Sequence, residues 1–343
     1  MKAFVFVNDS GAAYRRFSNK EIPAQFVYGV SKLEKMGFEV KVGEGRLFRD
    51  LFSFLKFKPD LFFMPFLKRK TMVFFILAKI FLFKTKFAGW MHLDIFAPPV
   101  SRLKKVIHSL LLPYLQIYIK QIDAVFFLSE KTREEIIMTR NLPQGQCHFV
   151  PWGGDMDFYA PFIKMEHNEK IISTGRENRD LPTVMEALRN SDITVDIYTS
   201  DMSLPDSYDN ANGSIRINKG RWAYKELLEK VSASKCMIIP LKVDKINYCV
   251  GLSSLIEAIS LGVPVVATYN SYWYIDIEKE NCGIYIKDNS MSEWMRALEQ
   301  LSNNPALVAQ MSANALRVFK EKCDFSRTEE ILAMHVDNLL RKA

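Results

Sequence analysis

Short apolar runs alternate with helix-like patterns along the whole chain. Runs such as DLFFM (60–64) and DAVFFL (123–128) are apolar at nearly every position, which is typical of strands buried on both faces of a parallel sheet. In the first half the pattern predicts strands at 2–7, 38–42, 60–64, 86–91, 123–128 and 147–150. It predicts helices between several of them, at 22–36, 104–120 and 130–140. The first half is therefore expected to form an α/β unit.

The same alternation starts again after PFIKMEHNE (161–169), a polar segment without periodicity that we interpret as a linker. Strands are predicted after it at 170–174, 193–199, 214–218, 236–241, 264–268 and 283–286. Helices are predicted near 182–190, 223–233, 254–261, 292–302, 305–321 and 327–342. The pattern thus predicts two Rossmann-like domains, at 1–160 and 168–322. The last helix, within 323–343, is expected to pack back on the first domain.

The apolar runs, the N-terminus and the cysteines indicate where in the cell the protein is expected. The chain has 343 residues and no run of 18 uncharged apolar residues, so we expect no transmembrane helix. The N-terminus resembles a strand and loop rather than a signal peptide. The five cysteines are scattered without metal-ligand spacing, and a reducing cytosol is the simplest setting for them. We therefore expect a cytoplasmic protein.

Charge is unevenly distributed. Residues 1–150 hold 24 Lys and Arg against 12 Asp and Glu, a net charge of +12. The remaining 22 basic and 27 acidic residues give the rest of the chain a net charge of −5. A basic first half indicates an anionic partner, such as a membrane surface, a phosphorylated substrate or nucleic acid, although a merely soluble basic surface is an alternative.

The stretch GLSSLIEAISLGVPVVAT (251–268) has two interpretations. Ser254 and Glu257 have the spacing of a capping box, in which the two side chains satisfy backbone donors at a helix start. Alternatively, the helix N-terminus beyond a parallel strand, preceded by Gly251, binds a diphosphate. A carboxylate one turn into that helix would then accept hydrogen bonds from a sugar diol.

This stretch resembles the donor-site signature of retaining glycosyltransferases of family 4, which have the GT-B fold. Three other segments are similar to family motifs in the same order: DAVFFLSEKTREEI (123–136), VPWGGDMDFYAP (150–161) and STGRENRDLPTVMEAL (173–188). The resemblance covers roughly 120–325, and before 120 it depends mainly on MHLD (91–94). It implies two Rossmann-like domains facing each other across a cleft.

The resemblance also implies roles for individual residues. Glu257 would bind the nucleotide ribose, and the backbone of Gly251, Leu252 and Ser253 would meet the diphosphate or the donor sugar, with Ser254 beside them. Arg176 matches an arginine that neutralises the leaving diphosphate.

The chain departs from the family pattern at two positions. The usual lysine about five residues after the arginine is absent, and Arg179 is the nearest replacement because a guanidinium also binds phosphate oxygens. The family often has a second glutamate eight residues before Glu257, and Cys249 stands there. The chain therefore lacks the carboxylate that contacts the donor sugar in those family members.

Two candidates lie in the first half. His92 matches a family histidine that contacts the donor sugar or acceptor, with Asp94 as a residue that orients it or caps the next turn. A purely structural histidine is the alternative. Gly11, in Asp9-Ser10-Gly11, lies where the family has a glycine-rich acceptor loop, but an ordinary Asx turn fits equally well.

Two further motifs each allow two interpretations. Asp155-Met156-Asp157 could suggest a metal-binding Asp-x-Asp, but it follows Gly153-Gly154, where aspartates cap turns, so we expect no metal. Arg221 follows a predicted strand in Gly220-Arg221-Trp222, and Arg221 or Trp222 could stack on the nucleotide base. A surface arginine beside a core tryptophan is the simpler alternative.

Residues 54–86 mix Phe, Leu and Ile with lysines and arginines. In a helix this mixture suits an anionic membrane interface, although it would also suit a core with solvated charges. Nucleic acid is not expected as a partner, because no aromatic-glycine signature is present.

The resemblance therefore implies a metal-independent retaining glycosyltransferase. Its donor would be a nucleotide-diphosphate sugar, it would need no further cofactor, and its acceptor would be a glycan or a polyprenyl-linked molecule. The expected setting is cell-surface polysaccharide or glycoconjugate synthesis at the inner face of the membrane. The alternatives are a catalytically silent relative that binds nucleotide sugar or a partner transferase, and a sugar-nucleotide epimerase of the same fold.

Overall fold

The structure is a computed structural model that describes residues 1–7, 9, 11–81, 83–92, 95–96, 102–164, 166–202, 204–205 and 214–341, with residues 102–108 described by their backbone. Ser10 and Asp94, both considered above, lie outside the described residues. The chain divides into two compact units. Unit 1 comprises Met1–Lys20, Ala24–Pro151 and Ser326–Ala343, and unit 2 comprises Glu21–Pro23 and Trp152–Phe325.

Unit 1 is built on a parallel sheet. Its strands, among the described residues, are β1 (Lys2–Val5), β2 (Glu39–Val42), β3 (Leu61–Met64), β4 (Lys86–Trp90), β5 (Ala124–Phe127) and β6 (Cys147–Phe149). Their order is β2-β1-β3-β4-β5-β6. Every residue of β3 and β5 is buried, because helices cover both faces of a parallel sheet. The order reverses between β1 and β3.

The helices of unit 1 are α1 (Ala12–Ser18), α2 (Val30–Lys35), α3 (Leu47–Phe57), α4 (Met72–Ile80), α5 (Arg102–Lys120), α6 (Glu130–Arg140) and α13 (Phe325–Arg341). One core joins α3, α4, α5 and α6 to the same face of the sheet. Phenylalanine rings dominate it, including Phe4, Phe54, Phe62 and Phe74, whose ring centroids lie 4.8–6.3 Å apart. These four helices therefore form one layer over the sheet.

Unit 2 repeats this plan. Its described strands are β7 (Ile171–Ser173), β8 (Val195–Thr199), β9 (Ile215–Lys219), β10 (Cys236–Ile239), β11 (Val265–Thr268) and β12 (Gly283–Ile286). All pairings are parallel and the order is β12-β11-β10-β7-β8-β9. The order therefore reverses between β7 and β10.

The helices of unit 2 are α7 (Met156–Tyr159), α8 (Leu181–Ala187), α9 (Tyr224–Ser232), α10 (Leu252–Ser260), α11 (Met291–Ser302) and α12 (Pro305–Val318). A π-helical turn, Phe319–Cys323, follows α12. The predicted linker 161–169 lies inside unit 2, after α7. Among the described residues, no helix has both the length and the apolar character needed to cross a membrane.

All twelve predicted strands are present, with ends that differ by no more than two residues. The predicted helix 22–36 is wrong: it is a 3₁₀ turn, Ala24–Val27, followed by α2. Tyr28 and Gly29 have φ of 54° and 90°, which breaks the helix between them.

The segment 54–86 is likewise divided. It holds the end of α3, the buried strand β3, and α4, whose Phe74 and Phe75 are buried in the core.

Candidate functional site

The loops after β7 and β10 meet at the carboxyl edge of the sheet of unit 2. Arg179 and Leu241 form an isolated antiparallel bridge, and the N–H of Asp180 donates to the carbonyl of Pro240 at 3.0 Å. The N–H of Lys242 donates to Asn178 at 3.1 Å. The two strands are neighbours where the strand order reverses, and ligands of open α/β sheets bind at such a reversal.

Arg179 is fixed within this loop pair. Its guanidinium donates to the carbonyls of Thr174 (3.3 Å) and Glu177 (3.1 Å), and its Nη2 donates to Ser254 Oγ at 2.8 Å. Gly175 has φ of 88°, and a Cβ there would lie 2.6 Å from Arg179 Nη2. Burial lowers the pKa of Arg179 to about 10, with the Glu257 carboxylate acting in the opposite direction. The side chain is therefore a held cation at neutral pH.

The N-terminus of α10 lies beside this cation. Gly251 is the N-cap with φ of 83°, and a Cβ there would lie 3.1 Å from both Ile239 and Trp273. The N–H of Leu252 donates to Cys249, whereas those of Ser253 and Ser254 have no acceptor among the described residues. Unsatisfied N–H groups at a helix start attract anions.

Glu257 lies in the second turn of α10, which begins at Leu252 rather than at the predicted residue 254. Its Oε1 accepts a hydrogen bond from Tyr224 Oη at 2.8 Å. Burial raises the pKa of Glu257 to about 7, although the Tyr224 hydroxyl and the charge of Arg179 both lower it. Its carboxyl group is thus poised between its two protonation states near neutral pH.

The capping-box interpretation of Ser254 and Glu257 is wrong. The N-cap residue is Gly251 and no side chain caps the helix. Ser254 accepts its hydrogen bond from Arg179, and Glu257 accepts from Tyr224. Neither side chain is used to satisfy the backbone of α10.

Sequence reasoning missed two tyrosines behind Glu257. Tyr224 begins α9, and its hydroxyl lies 2.6 Å from that of Tyr159, at the end of α7. Burial, together with the adjacent Glu257 and Tyr159, raises the pKa of Tyr224 well above its ordinary value. Tyr224 is therefore a neutral hydroxyl that donates to the carboxylate. No motif links residues so far apart in the chain, so the sequence carried no signal for this pair.

Two predicted arginines are exposed. Neither Arg176 nor Arg221 makes a side-chain hydrogen bond or ion pair with any described residue. Arg176 lies in the same loop as Arg179, one residue after Gly175. Trp222, next to Arg221, packs edge-on against Tyr198 with ring centroids 5.2 Å apart.

Cys249 is buried in the loop before Gly251, with 8% of its surface exposed. Burial raises the pKa of its thiol to about 12, so the thiol is neutral. A group of this kind cannot replace the carboxylate that the family often has at this position.

His92 lies in unit 1, just after β4. Its Nε2 lies 2.9 Å from the carbonyl oxygen of Pro65, and its ring packs on Phe66 and Tyr28 with centroids 4.4 and 4.8 Å away. Burial lowers the pKa of His92 to about 4. Because a carbonyl oxygen only accepts, Nε2 carries the proton of a neutral ring and Nδ1 carries a lone pair.

Pro65, Phe66 and Tyr28 also line a cavity of about 190 Å³ within unit 1. The cavity lies where the strand order reverses between β1 and β3, and its walls are mostly apolar. Asp9 and Lys68 supply charged groups to its lining. His92 thus lies behind the wall of a concave site.

Gly11 is the N-cap of α1, and its N–H donates to Asp9 Oδ1 at 3.1 Å. Asp9 Oδ2 accepts from the N–H of Ala13 at 2.8 Å. This is the Asx-type turn named above as the alternative for Gly11. It occupies the Gly11 N–H, so this group is not available to a ligand.

Asp155 caps α7 and accepts from the N–H of Phe158 at 3.2 Å, while Asp157 is exposed. Within the described parts of the chain, no group of three His, Cys, Asp or Glu side chains has a geometry that could hold a metal ion.

The structure therefore brings Arg179, Ser254, Gly251 and Glu257 together in unit 2, with Arg176 on an adjacent exposed loop. Gly11 and His92 belong to unit 1. A held cation, open N–H groups and a carboxylate form a set that can bind a diphosphate and accept hydrogen bonds from hydroxyl groups.

Three solved structures illustrate what the chain is similar to. Sucrose-phosphate synthase from Thermosynechococcus elongatus superposes with a TM-score of 0.71 at 13% identity, covering 100% of both chains. A glycosyltransferase from Rickettsia africae ESF-5 gives 0.70 at 12% identity, covering 100% of this chain and 99% of that one. Anabaena HepE in complex with UDP-glucose gives 0.66 at 12% identity, covering 98% and 100%.

No family model and no curated protein matches the chain. At these identities the structural likeness establishes the fold alone. It confirms the predicted fold class, GT-B with two Rossmann-like domains.

Proposed function

We propose that the chain is a retaining glycosyltransferase of the family 4 type, which transfers a sugar from a nucleotide-diphosphate donor to a glycan or polyprenyl-linked acceptor. The observation that carries the proposal is that Arg179 and Glu257 both lie at the start of α10, whose first N–H groups are open, where the strand order reverses. The solved structure of HepE with UDP-glucose makes a UDP-sugar the first donor to test.

In this proposal the diphosphate lies at the N–H groups of Ser253 and Ser254, next to Gly251 and Leu252. Arg179 and the exposed Arg176 supply positive charge, which would make a metal ion unnecessary. Glu257 would accept hydrogen bonds from the ribose hydroxyls, and Arg221 would stack on the base. Tyr224 holds the Glu257 carboxylate in position.

The reaction would be a front-face displacement. The bond between the anomeric carbon and the diphosphate oxygen breaks, and the acceptor hydroxyl oxygen bonds to the same face of that carbon. The acceptor proton passes to an oxygen of the departing diphosphate. Arg176, Arg179 and the α10 N-terminus stabilise the charge that develops on this leaving group.

The acceptor would bind in unit 1. The apolar cavity near Asp9 and Lys68 is our candidate for this site, with His92 behind its wall and the loop of Gly11 at its edge. We propose a role in cell-surface polysaccharide or glycoconjugate synthesis in the cytoplasm, at the inner face of the membrane.

Calorimetric titration with UDP-, GDP- and dTDP-sugars tests the donor site. Glu257→Gln should weaken binding of the preferred nucleotide sugar by about tenfold or more, since a charged acceptor of hydrogen bonds is lost. Glu299→Gln removes an exposed carboxylate from α11 and serves as the matched control. Unchanged affinity in Glu257→Gln would refute the assignment of the site.

A catalytically silent relative is a second candidate, favoured by the neutral, buried Cys249. Release of free nucleotide, measured with and without membrane lipid acceptors, separates the functions. Release only with acceptor supports a transferase, and binding without turnover supports the silent relative. Isomerisation of the sugar without acceptor would indicate an epimerase.

A further inference from the structure

Helices α4 and α5 of unit 1 expose apolar side chains to solvent. The residues are Ile76, Ile80, Leu110, Leu111, Tyr114 and Ile117, which we call the α4–α5 surface. Leu110 is 70% exposed and Tyr114 64%. Such a concentration of exposed apolar side chains on two neighbouring helices marks an interaction site.

Packing of α5 against the core does not explain its exposed apolar residues. Its inner face is already formed by Leu115, Tyr118 and Ile119, all buried. Leu110, Tyr114 and Ile117 follow the spacing i, i+4, i+7 and form a separate stripe away from the core. Helix α5 is therefore apolar on two faces.

Helix α4 is also apolar on two faces. Phe74, Phe75 and Ala78 are buried, whereas Ile76 and Ile80, one turn apart, are exposed. The two helices pack together, and the ring of Phe75 lies 5.5 Å from that of Tyr118 on α5. Their outward apolar residues thus belong to neighbouring parts of one helical layer.

The stretch of chain that carries these two helices, between Asp60 and Asp123, is strongly basic. Residues 61–122 contain ten Lys and Arg against one acidic residue, Asp94, and neither α4 nor α5 contains Asp or Glu. Lys79 and Lys120 are exposed at the ends of the two helices. The ammonium of Lys79 lies 5.2 Å from the ring centroid of Phe75, so the apolar stem of Lys79 packs along α4 while the residue stays exposed.

We propose that the α4–α5 surface docks on an anionic lipid bilayer. Its isoleucine and leucine side chains enter the boundary between headgroups and acyl chains, and the lysines contact lipid phosphates. A second copy of this chain fits less well, because two such surfaces would oppose positive charge with positive charge. The proposal does not depend on the transferase activity.

Flotation of the whole protein with lipid vesicles tests this inference, with no nucleotide sugar present. We expect binding to vesicles of phosphatidylcholine with one third phosphatidylglycerol, and much weaker binding to phosphatidylcholine alone. High salt should weaken the binding to anionic vesicles, because exposed charges are screened.

The variant Leu110→Glu/Ile117→Glu should bind anionic vesicles about tenfold or more weakly, since it removes apolar contacts and adds two negative charges. Met202→Glu/Met334→Glu is the control. It makes the same charge change at two exposed apolar positions outside the α4–α5 surface and should bind nearly as the wild type does. Circular dichroism and nucleotide-sugar binding would verify that both variants are folded.

Three results would overturn the inference. The first is wild-type binding by Leu110→Glu/Ile117→Glu, and the second is an equal loss in both double variants, which would reflect net charge alone. The third is a wild-type dimer that Leu110→Glu/Ile117→Glu dissociates, with no vesicle binding, which would assign the surface to a second copy.

Discussion

At the scale of single residues, the candidate donor site combines groups that are held with groups that are free. Arg179 makes three hydrogen bonds to its surroundings, while Arg176 makes none to the described residues. Substitution of Arg179 would therefore mix structural and functional effects. Arg176 offers a cleaner test of the charge that the reaction needs.

Arg176→Ala should lower kcat/KM for sugar transfer by about 10- to 100-fold, because one cation that stabilises the leaving diphosphate is lost. Its midpoint of urea unfolding should not change. Arg296→Ala removes another exposed arginine of unit 2, on α11, and is the control. Equal activity of the two variants would exclude a role for Arg176 in stabilising charge.

Burial raises the pKa of Glu257, and the hydrogen bond from the Tyr224 hydroxyl lowers it. Since the carboxylate is the stronger hydrogen-bond acceptor, affinity for UDP-glucose should rise as pH rises through about 7, the raised pKa of Glu257. Tyr224→Phe removes a donor that lowers this pKa, so the rise should move to higher pH. Calorimetry on both sides of neutral pH measures the shift.

Tyr198→Phe is the matched control, because Tyr198 packs on Trp222 and not on Glu257. A pH profile of Tyr224→Phe identical to that of the wild type would contradict the positioning role.

The dependence of stability on pH provides a second test of the raised pKa of Glu257. The pKa of Glu257 is about 4.5 in the unfolded chain and about 7 in the folded chain. Because only the folded chain holds this proton between these two pH values, the free energy of unfolding falls as pH rises from 4.5 to 7. Glu257→Gln should remove that fall.

At the scale of elements, the glycine before α10 shapes the site through the backbone. Gly251→Ala should destabilise unit 2 by about 1–2 kcal/mol or more, because φ is 83° and the added Cβ would press on Ile239 and Trp273. Nucleotide-sugar affinity should fall with it. The midpoint of urea unfolding and calorimetric titration measure the two effects.

Gly37→Ala separates the two causes, because Gly37 also has a positive φ, 82°, but its Cβ would meet nothing within 4 Å. It should show the backbone cost alone and leave nucleotide-sugar binding unchanged. If Gly251→Ala were no more harmful than Gly37→Ala, the close packing of the α10 start would have no energetic importance.

The sequence predicted the strands better than the helices, and the reason is physical. Buried parallel strands such as β3 are apolar at every position, which leaves no ambiguity in the pattern. Helix α4 escaped prediction because it is apolar on both faces. Phe75 is buried whereas Ile76 is exposed, and this blurs the 3.6-residue period on which the prediction relies.

Within the candidate site, sequence reasoning identified what is local and missed what is distant. Gly251 and Glu257 belong to one continuous motif. The contacts of Arg179 with Ser254 and of Tyr224 with Glu257 join residues 75 and 33 positions apart. Such pairs depend on the packing of α9 and α10 against the sheet, which the linear pattern does not encode.

At the scale of the whole molecule, the last helix belongs to unit 1 although it follows unit 2 in the chain. Glu329 on α13 accepts hydrogen bonds from Ser31 Oγ at 2.7 Å and from Lys35 Nζ at 3.0 Å, both on α2. Leu332 and Val336 of α13 are buried. Unit 1 is thus assembled from both ends of the chain.

The contact between Gly29 and Leu332 makes this assembly testable. A Cβ at Gly29 would lie 2.0 Å from Leu332 Cδ2, and φ at Gly29 is 90°. Gly29→Ala should therefore displace α13 and destabilise unit 1 by more than the ~1 kcal/mol expected for the backbone conformation alone. Gly37→Ala again supplies the cost of the backbone conformation without the clash.

Hydrogen exchange should show faster exchange of α13 amides in Gly29→Ala and little change in unit 2, since local unfolding follows the cooperative units of a structure. Leu332→Ala would relieve the clash, so the double variant Gly29→Ala/Leu332→Ala should lose less stability than the two single losses combined. Strict additivity of the two losses would show that Gly29 and Leu332 are not coupled and that α13 is held by other contacts.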